Sequence, residues 1–255
     1  MVELKTPGEI EAMRAAGLVV AAALAAVRSV AAVGVRLDEL DDAARETIFD
    51  AGATSPFLGY QPRFAPVPFP GVICASVGDA VLHGIPTGYR LRDGDLLSVD
   101  CGALLDGWAG DSATTFSIGH RRAADDELVA ATRDALAAGI AAAVPGGKLG
   151  DVSAAIGAVA RERGCGVNTD FGGHGIGRAM HEAPSVPNDG RGGRGMRLQT
   201  GLVIAIEPWF FAGPQSGYTV DDDGWTMRSA HGLTGAHEEH TVAVTDDGPV
   251  VLTLP

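Results

Sequence analysis

The chain is 255 residues long and 46% hydrophobic, long enough to bury a substantial core and too apolar to be a disordered chain. Its net charge of −13 and pI of about 4.8 argue against a phosphate-backbone binder, which needs a basic face. Cys74, Cys101 and Cys165 form neither a CxxC nor an even framework, which points to a reducing compartment.

Thr6-Pro7 opens a first helix that runs to about residue 30, with proline in its first turn. The stretch AAGLVVAAALAAVRSVAAVGV (15–35) could pass for a signal or membrane segment. Arg28 interrupts it, Glu3, Glu9 and Glu11 precede it, and its apolar residues are mostly alanine. A buried amphipathic helix is therefore expected. LDELDDAARETIFDAG (37–52) predicts a second helix, stopped at Gly52. Strands are expected at VICASV (72–77), LLSVD (96–100) and TTFSI (114–118). AADDELVAATRDALAAGIAAAV (123–144) predicts a third helix, ended by Pro145-Gly146-Gly147, and LGDVSAAIGAVARERG (149–164) a fourth, stopped at Gly164. NDGRGGRGMR (188–197) reads as a loop, and LVIAIE (202–207) and HTVAVT (240–245) as the last strands.

The chain repeats itself. AAVGVRLDELDDAARETIFDAG (31–52) lies over AVPGGKLGDVSAAIGAVARERG (143–164) at an offset of 112. GYRLRDGDLLSVD (88–100) lies over GMRLQTGLVIAIE (195–207) at an offset of 107, and each copy ends an apolar strand on an acid, Asp100 or Glu207. Two such units imply a duplicated α/β half-barrel rather than a solenoid, with these two acids symmetric about one site.

Asp106-Gly107 is a favoured two-residue hairpin turn. It sets residue 105 opposite 108 and 102 opposite 111, so Asp100 and Asp111 project to one face as diagonal neighbours, about 7–8 Å apart at the backbone. Taken alone, that pair fits a turn cap and a solvated acid equally well. FGGHGIGRAMHEAP (171–184) adds His174 and His181 in glycine-rich chain. Alternation along 239–245 points Glu239 to the face of Asp100 and turns His240 away. His120, His231, His237 and His240 read as structural histidines. Asp100, Asp111, Glu207 and Glu239, with one imidazole, would carry four negative charges into one place. Two divalent cations balance them, and oxygen-rich ligation with one nitrogen suits Mn, Fe, Co or Zn.

Across nearly its whole length, starting at LKTPGEIEAMRAAG, the chain resembles the type I methionine aminopeptidases of the short bacterial kind. VLHGIP (81–86), SVDCGALLDGWAGDSATTF (98–116), GHGIGRAMHEAP (173–184), AIEP (205–208) and EHTVAVTDDG (239–248) carry the resemblance. It implies an α+β pita-bread fold, a curved antiparallel sheet flanked by two helix pairs with an internal pseudo-two-fold. One catalytic domain would span 1–255, with pseudo-repeats of about 1–120 and 121–255. The resemblance implies five ligands to two divalent metal ions: Asp100, Asp111, His174, Glu207 and Glu239, with Asp111 and Glu239 bridging.

By the same resemblance His83 contacts substrate near the scissile amide, His181 donates to the carbonyl oxygen, and Glu207 accepts a proton from the attacking water. Tyr60, Phe69, Cys74, Met180 and Trp225 would form the methionine pocket, soft and polarizable enough for a thioether. QPRFAPVPFP (61–70) is longer than the resemblance leads one to expect and would reshape the pocket rim. The loop at Gly78 is where the family often holds a monovalent cation. The implied activity is removal of the initiator methionine from nascent polypeptides whose second residue is small, by metal-activated water. The enzyme would be a cytoplasmic monomer, in contact with the ribosome and not with nucleic acid or membrane. Two rivals stand beside it. Xaa-Pro peptidases share the ligand set but usually carry an extra N-terminal domain, and a binding protein that has lost catalysis should lack ligands.

Overall fold

A computed structural model describes residues 2–63 and 65–255. Helix α1 (Pro7–Val30) starts at a reciprocal cap: Glu9 N–H donates to the Thr6 hydroxyl, and Thr6 N–H donates to the Glu9 carboxylate. By length and composition α1 could cross a membrane. Its Met13, Ala16, Gly17, Val20, Ala23 and Val27 are instead buried in the protein, against a second helix and the sheet. Helices α2 (Leu37–Asp50), α3 (Ala123–Ala142) and α4 (Leu149–Arg163) fall where the spacing predicts, and Gly164 ends α4 with φ of 65°.

The strands are β1 (Ile73–Val77), β2 (Ala80–Leu82), β3 (Leu96–Leu105), β4 (Trp108–Ser117), β5 (Gly166–Val167), β6 (Gly173–Gly175) and β7 (Glu182–Val186). In the second half come β8 (Val203–Ile206), β9 (Trp209–Phe211), β10 (Tyr218–Val220), β11 (Met227–Ser229), β12 (Gly235–His237), β13 (Glu239–Thr245) and β14 (Gly248–Val251). An eight-stranded sheet runs β1-β3-β4-β13-β8-β6-β7, with β14 against β13. Two three-stranded sheets, β10-β11-β2 and β12-β9-β5, extend it.

All pairings in the large sheet are antiparallel, and its order does not close on itself. The open order fits the half-barrel expected from the repeat, and only its α/β label changes. Helices here come in pairs instead of alternating with strands, and a hairpin joins β3 to β4, so no parallel crossover is built. The architecture is α+β. One core cluster joins α1 and α2 to β1 and β3 through Val20, Leu40, Ile48, Ile73, Leu97 and Val99. Another joins α3 and α4 to β8 and β13 through Leu128, Ala135, Ile156, Ile204, Ile206 and Val242.

The repeat survives in backbone detail. Gly34 N donates to Leu91 O and Leu91 N to Val35 O, and in the second half Gly146 N donates to Leu198 O and Leu198 N to Gly147 O. Strand register repeats as well, at offsets of 107 on one strand and 126 on its partner. Leu96↔Ser117, Leu97↔Phe116, Ser98↔Thr115 and Val99↔Thr114 correspond to Val203↔Ala243, Ile204↔Val242, Ala205↔Thr241 and Ile206↔His240. The correspondence carries on past the break in the second half: Gly102↔Asp111 and Ala103↔Gly110 match Trp209↔His237 and Phe210↔Ala236.

Candidate functional site

The β3–β4 hairpin turns at Asp106 (φ 50°) and Gly107 (φ 77°), the left-handed pair that a tight hairpin of this hand requires. Leu105 then faces Trp108 and Gly102 faces Asp111, as the turn predicts. Asp100 stands opposite Ala113, diagonal to Asp111, and both carboxyl groups face the same space. Asp111 is locked in place from behind: its N–H donates to Thr241 Oγ1, and that hydroxyl donates to Asp111 O, both at 2.9 Å.

Glu239 opens β13 and is 1% exposed, with its side chain in the same space. Neighbouring residues turn the other way. Glu238 accepts from Arg133 Nε (2.9 Å) and Thr115 N (3.1 Å), and His240 Nδ1 meets the Thr253 hydroxyl at 2.9 Å. Glu207 follows β8. His174 sits in β6 between two glycines whose lack of a side chain is needed: a Cβ on Gly173 would run into Ala205 O, and one on Gly175 into Ala183 O. The His174 ring lies with Nδ1 2.9 Å from Gly175 O, so Nδ1–H donates there and Nε2 keeps its lone pair. That Nε2 lies 3.5 Å from Glu207 Oε1 and 3.8 Å from Asp111 Oδ2.

These groups face one another without counter-charge. Oδ1 of Asp100, Oδ1 of Asp111 and Oε1 of Glu239 are buried with no hydrogen-bond partner. Burial first, and then the neighbouring carboxylates, push Asp111 and Glu239 well above the usual carboxylate range. Glu207 is raised for the same reasons, and burial raises Asp100. The imidazoles move the opposite way. Burial lowers His83 and His174 to about 4 and lowers His181, so all three are neutral near pH 7. Orphaned carboxylate oxygens beside a neutral imidazole lone pair are the donor set of a divalent cation site. Asp111, His174 and Glu239 place one donor atom each within 4.8 Å of one another, and so do Glu207, His237 and Glu239.

Above this floor lies a cavity of about 230 Å³. Tyr60, Phe69, Cys74, His83, His181 and Trp225 line it, as do Phe57 and Phe171. His181 lies 4.4 Å from the His174 ring and stacks on Tyr60 at 5.6 Å between centroids. His83 has a φ of 54°, a strained conformation for a non-glycine residue, and packs edge-on against Phe171 and Trp225. Burial holds Cys74 above the usual thiol range, so it is an apolar wall group.

The 61–70 segment does build the rim: Trp225 Nε1 donates to Val67 O at 2.9 Å, and Phe69 is buried against the Trp225 ring. Phe64 lies outside the described residues. Met180 is not part of the cavity lining. It is half-buried with Met13, Trp108 and Ile176, and its Cε fills the space over Gly102 where a side chain would stand. At Gly78 the carbonyl is taken by Gly235 N–H.

Phe57, Phe171 and His237 carry no signal in the sequence. The two phenylalanines sit in irregular chain, and His237 belongs to a three-residue strand too short to show a period.

The chain matches metallopeptidase family M24 over residues 11–246. It is 50% identical to methionine aminopeptidase 1 of Mycobacterium tuberculosis over 261 residues, covering 100% of this chain and 96% of that one. A crystal structure of methionine aminopeptidase from Thermotoga maritima superposes with a TM-score of 0.95 at 37% identity, over 100% of both chains. The prolidase of Pyrococcus furiosus shares the fold at a TM-score of 0.77 and 24% identity, over 99% of this chain and 65% of that one.

Proposed function

The chain belongs to metallopeptidase family M24, with the methionine aminopeptidases, and we propose that it removes the initiator methionine from polypeptides whose second residue is small. One observation carries the reading. Four carboxylates, those of Asp111 and Glu239 buried and those of Asp100 and Glu207 partly so, converge with a lone-pair imidazole at the floor of an aromatic, thiol-lined cavity, with carboxylate oxygens that nothing in the protein satisfies. Residues 1–255 act as one catalytic domain, its halves divided near residue 120.

Asp100, Asp111, His174, Glu207 and Glu239 would hold two divalent ions of the Mn, Fe, Co or Zn type, which supply Lewis acidity and a nucleophilic water. The protein's own groups do the rest. Tyr60, Phe69, Cys74 and Trp225 enclose the methionine side chain. His83, neutral and braced by two rings, hydrogen-bonds the scissile amide. His181 donates to the carbonyl oxygen as negative charge builds on it. Glu207 takes the proton of the attacking water and passes it towards the leaving amine. The work is cytoplasmic, performed by a monomer on chains emerging from the ribosome.

A direct comparison of peptides tests this. Met-Gly and Met-Ala peptides should be cleaved, and Xaa-Pro peptides should not. Preference for Xaa-Pro would replace the substrate assignment, and full turnover after exhaustive chelation would remove the metal from the mechanism.

A further inference from the structure

His237 stands in the second half where Asp111 stands in the first. In β3–β4, Asp100 faces Ala113, and two residues further along the ladder Gly102 faces Asp111. Shifted by 107 and 126, the same ladder runs from His240↔Ile206, next to Glu239 and Glu207, to Trp209↔His237. So His237 is diagonal to Glu207 as Asp111 is diagonal to Asp100. Its backbone is fixed as firmly, because His237 N–H donates to Thr115 Oγ1 at 2.9 Å and that hydroxyl donates to His237 O at 2.7 Å.

The side chain is 1% exposed, and its Nε2 has no hydrogen-bond partner. This nitrogen lies 3.8 Å from Glu207 Oε2 and 3.8 Å from Glu239 Oε2. That is too long for a hydrogen bond to either oxygen. It matches donors sharing one cation, since ligands about 2.1 Å from a metal lie about 3–4 Å from each other. An imidazole buried this deeply with an idle nitrogen is costly unless something accepts its lone pair.

We propose that His237 is a sixth protein ligand, giving its Nε2 lone pair to the metal site shared by Glu207 and Glu239. The centre is then built with each half of the duplication contributing the same two ladder positions: Asp100 and Asp111 from one, Glu207 and His237 from the other. Glu239 and His174 complete it. This rests on the metallopeptidase reading above and adds a second nitrogen donor to it.

Cobalt(II) is the probe. Metal-free protein is titrated with Co(II), and binding is followed by calorimetry and by proton NMR of the paramagnetic complex. Wild type should take up two ions and show two exchangeable imidazole N–H resonances displaced by cobalt, one each from His174 and His237. His237→Gln should show one and bind one of its two ions about 10- to 100-fold more weakly. A single displaced resonance in wild type overturns the assignment, whether or not the variant folds, and so does a His237→Gln protein with unchanged affinity at both sites. No cobalt bound by wild type would instead overturn the metallopeptidase reading, and the assignment of His237 with it.

Discussion

At the scale of single residues, the centre is an arrangement of groups that the protein alone leaves unsatisfied. Asp100→Ala or Glu239→Ala should abolish peptide cleavage and metal uptake together, read by turnover and by metal analysis of the purified variant. His181→Ala should separate the two: metal content is retained, while kcat falls about 10²- to 10³-fold, the usual cost of one donor to a developing oxyanion. The titration behaviour of metal-free protein follows from the same geometry. Carboxyl groups raised by burial bind protons in the folded state that the unfolded chain has already released, so their contribution is lost as pH rises. Buried histidines lowered to about 4 oppose this only below the ordinary histidine pKa of about 6.5. Above pH 6.5, metal-free protein should therefore melt at falling temperature as pH rises, through the value of about 8 to which Glu207 is pushed and on into the range of Asp111 and Glu239, which are also raised. Divalent metal should abolish the slope and raise the melting temperature. The acids of this site were legible in the sequence because Asp100 and Glu207 each follow an apolar run, the Asp106-Gly107 turn sets Asp111 beside Asp100, and alternation along 239–245 turns Glu239 to the same face. His237 was not. Between 110–118 and 236–244 only Thr115/Thr241 and a few apolar positions recur, and the Asp111 position holds a different residue type.

At the scale of elements, two contacts decide where the catalytic strands lie. Helix α1 reaches β4 and the C-terminal segment so closely that a Cβ on Gly17 would meet Leu252 O. Gly17→Ala should cost about 1–3 kcal/mol, measurable by urea denaturation, since backbone must move to admit it. Asp41 in α2 is buried and accepts from Val72 N (2.6 Å) and Ile73 N (3.1 Å), while Arg45 pairs with it at 2.8 Å. Asp41→Ala would leave two buried donors at the start of β1 and should cost about 2–3 kcal/mol. All four helices were legible to within a turn, because capping residues, glycine stops and apolar spacing are local signals. The short strands β5, β6, β9 and β12 were not, because two or three residues hold no period and are ordered only by their neighbours.

At the scale of the whole molecule, the duplication explains why one site is assembled from residues far apart in the chain. Two helix pairs back two register-matched strand pairs, and the acids meet where the halves join in one sheet at β4 and β13. A local order of helix, helix and strands, the hairpin at Asp106-Gly107 and the identity of the acids all followed from residues close to one another in sequence, where spacing and turn chemistry act. The seating of Met180 over Gly102 instead of in the cavity, the Phe57 and Phe171 walls and the place of His237 did not. Each depends on which segments lie beside which across many tens of residues or more, and contact at that distance leaves no mark in the local pattern of the chain.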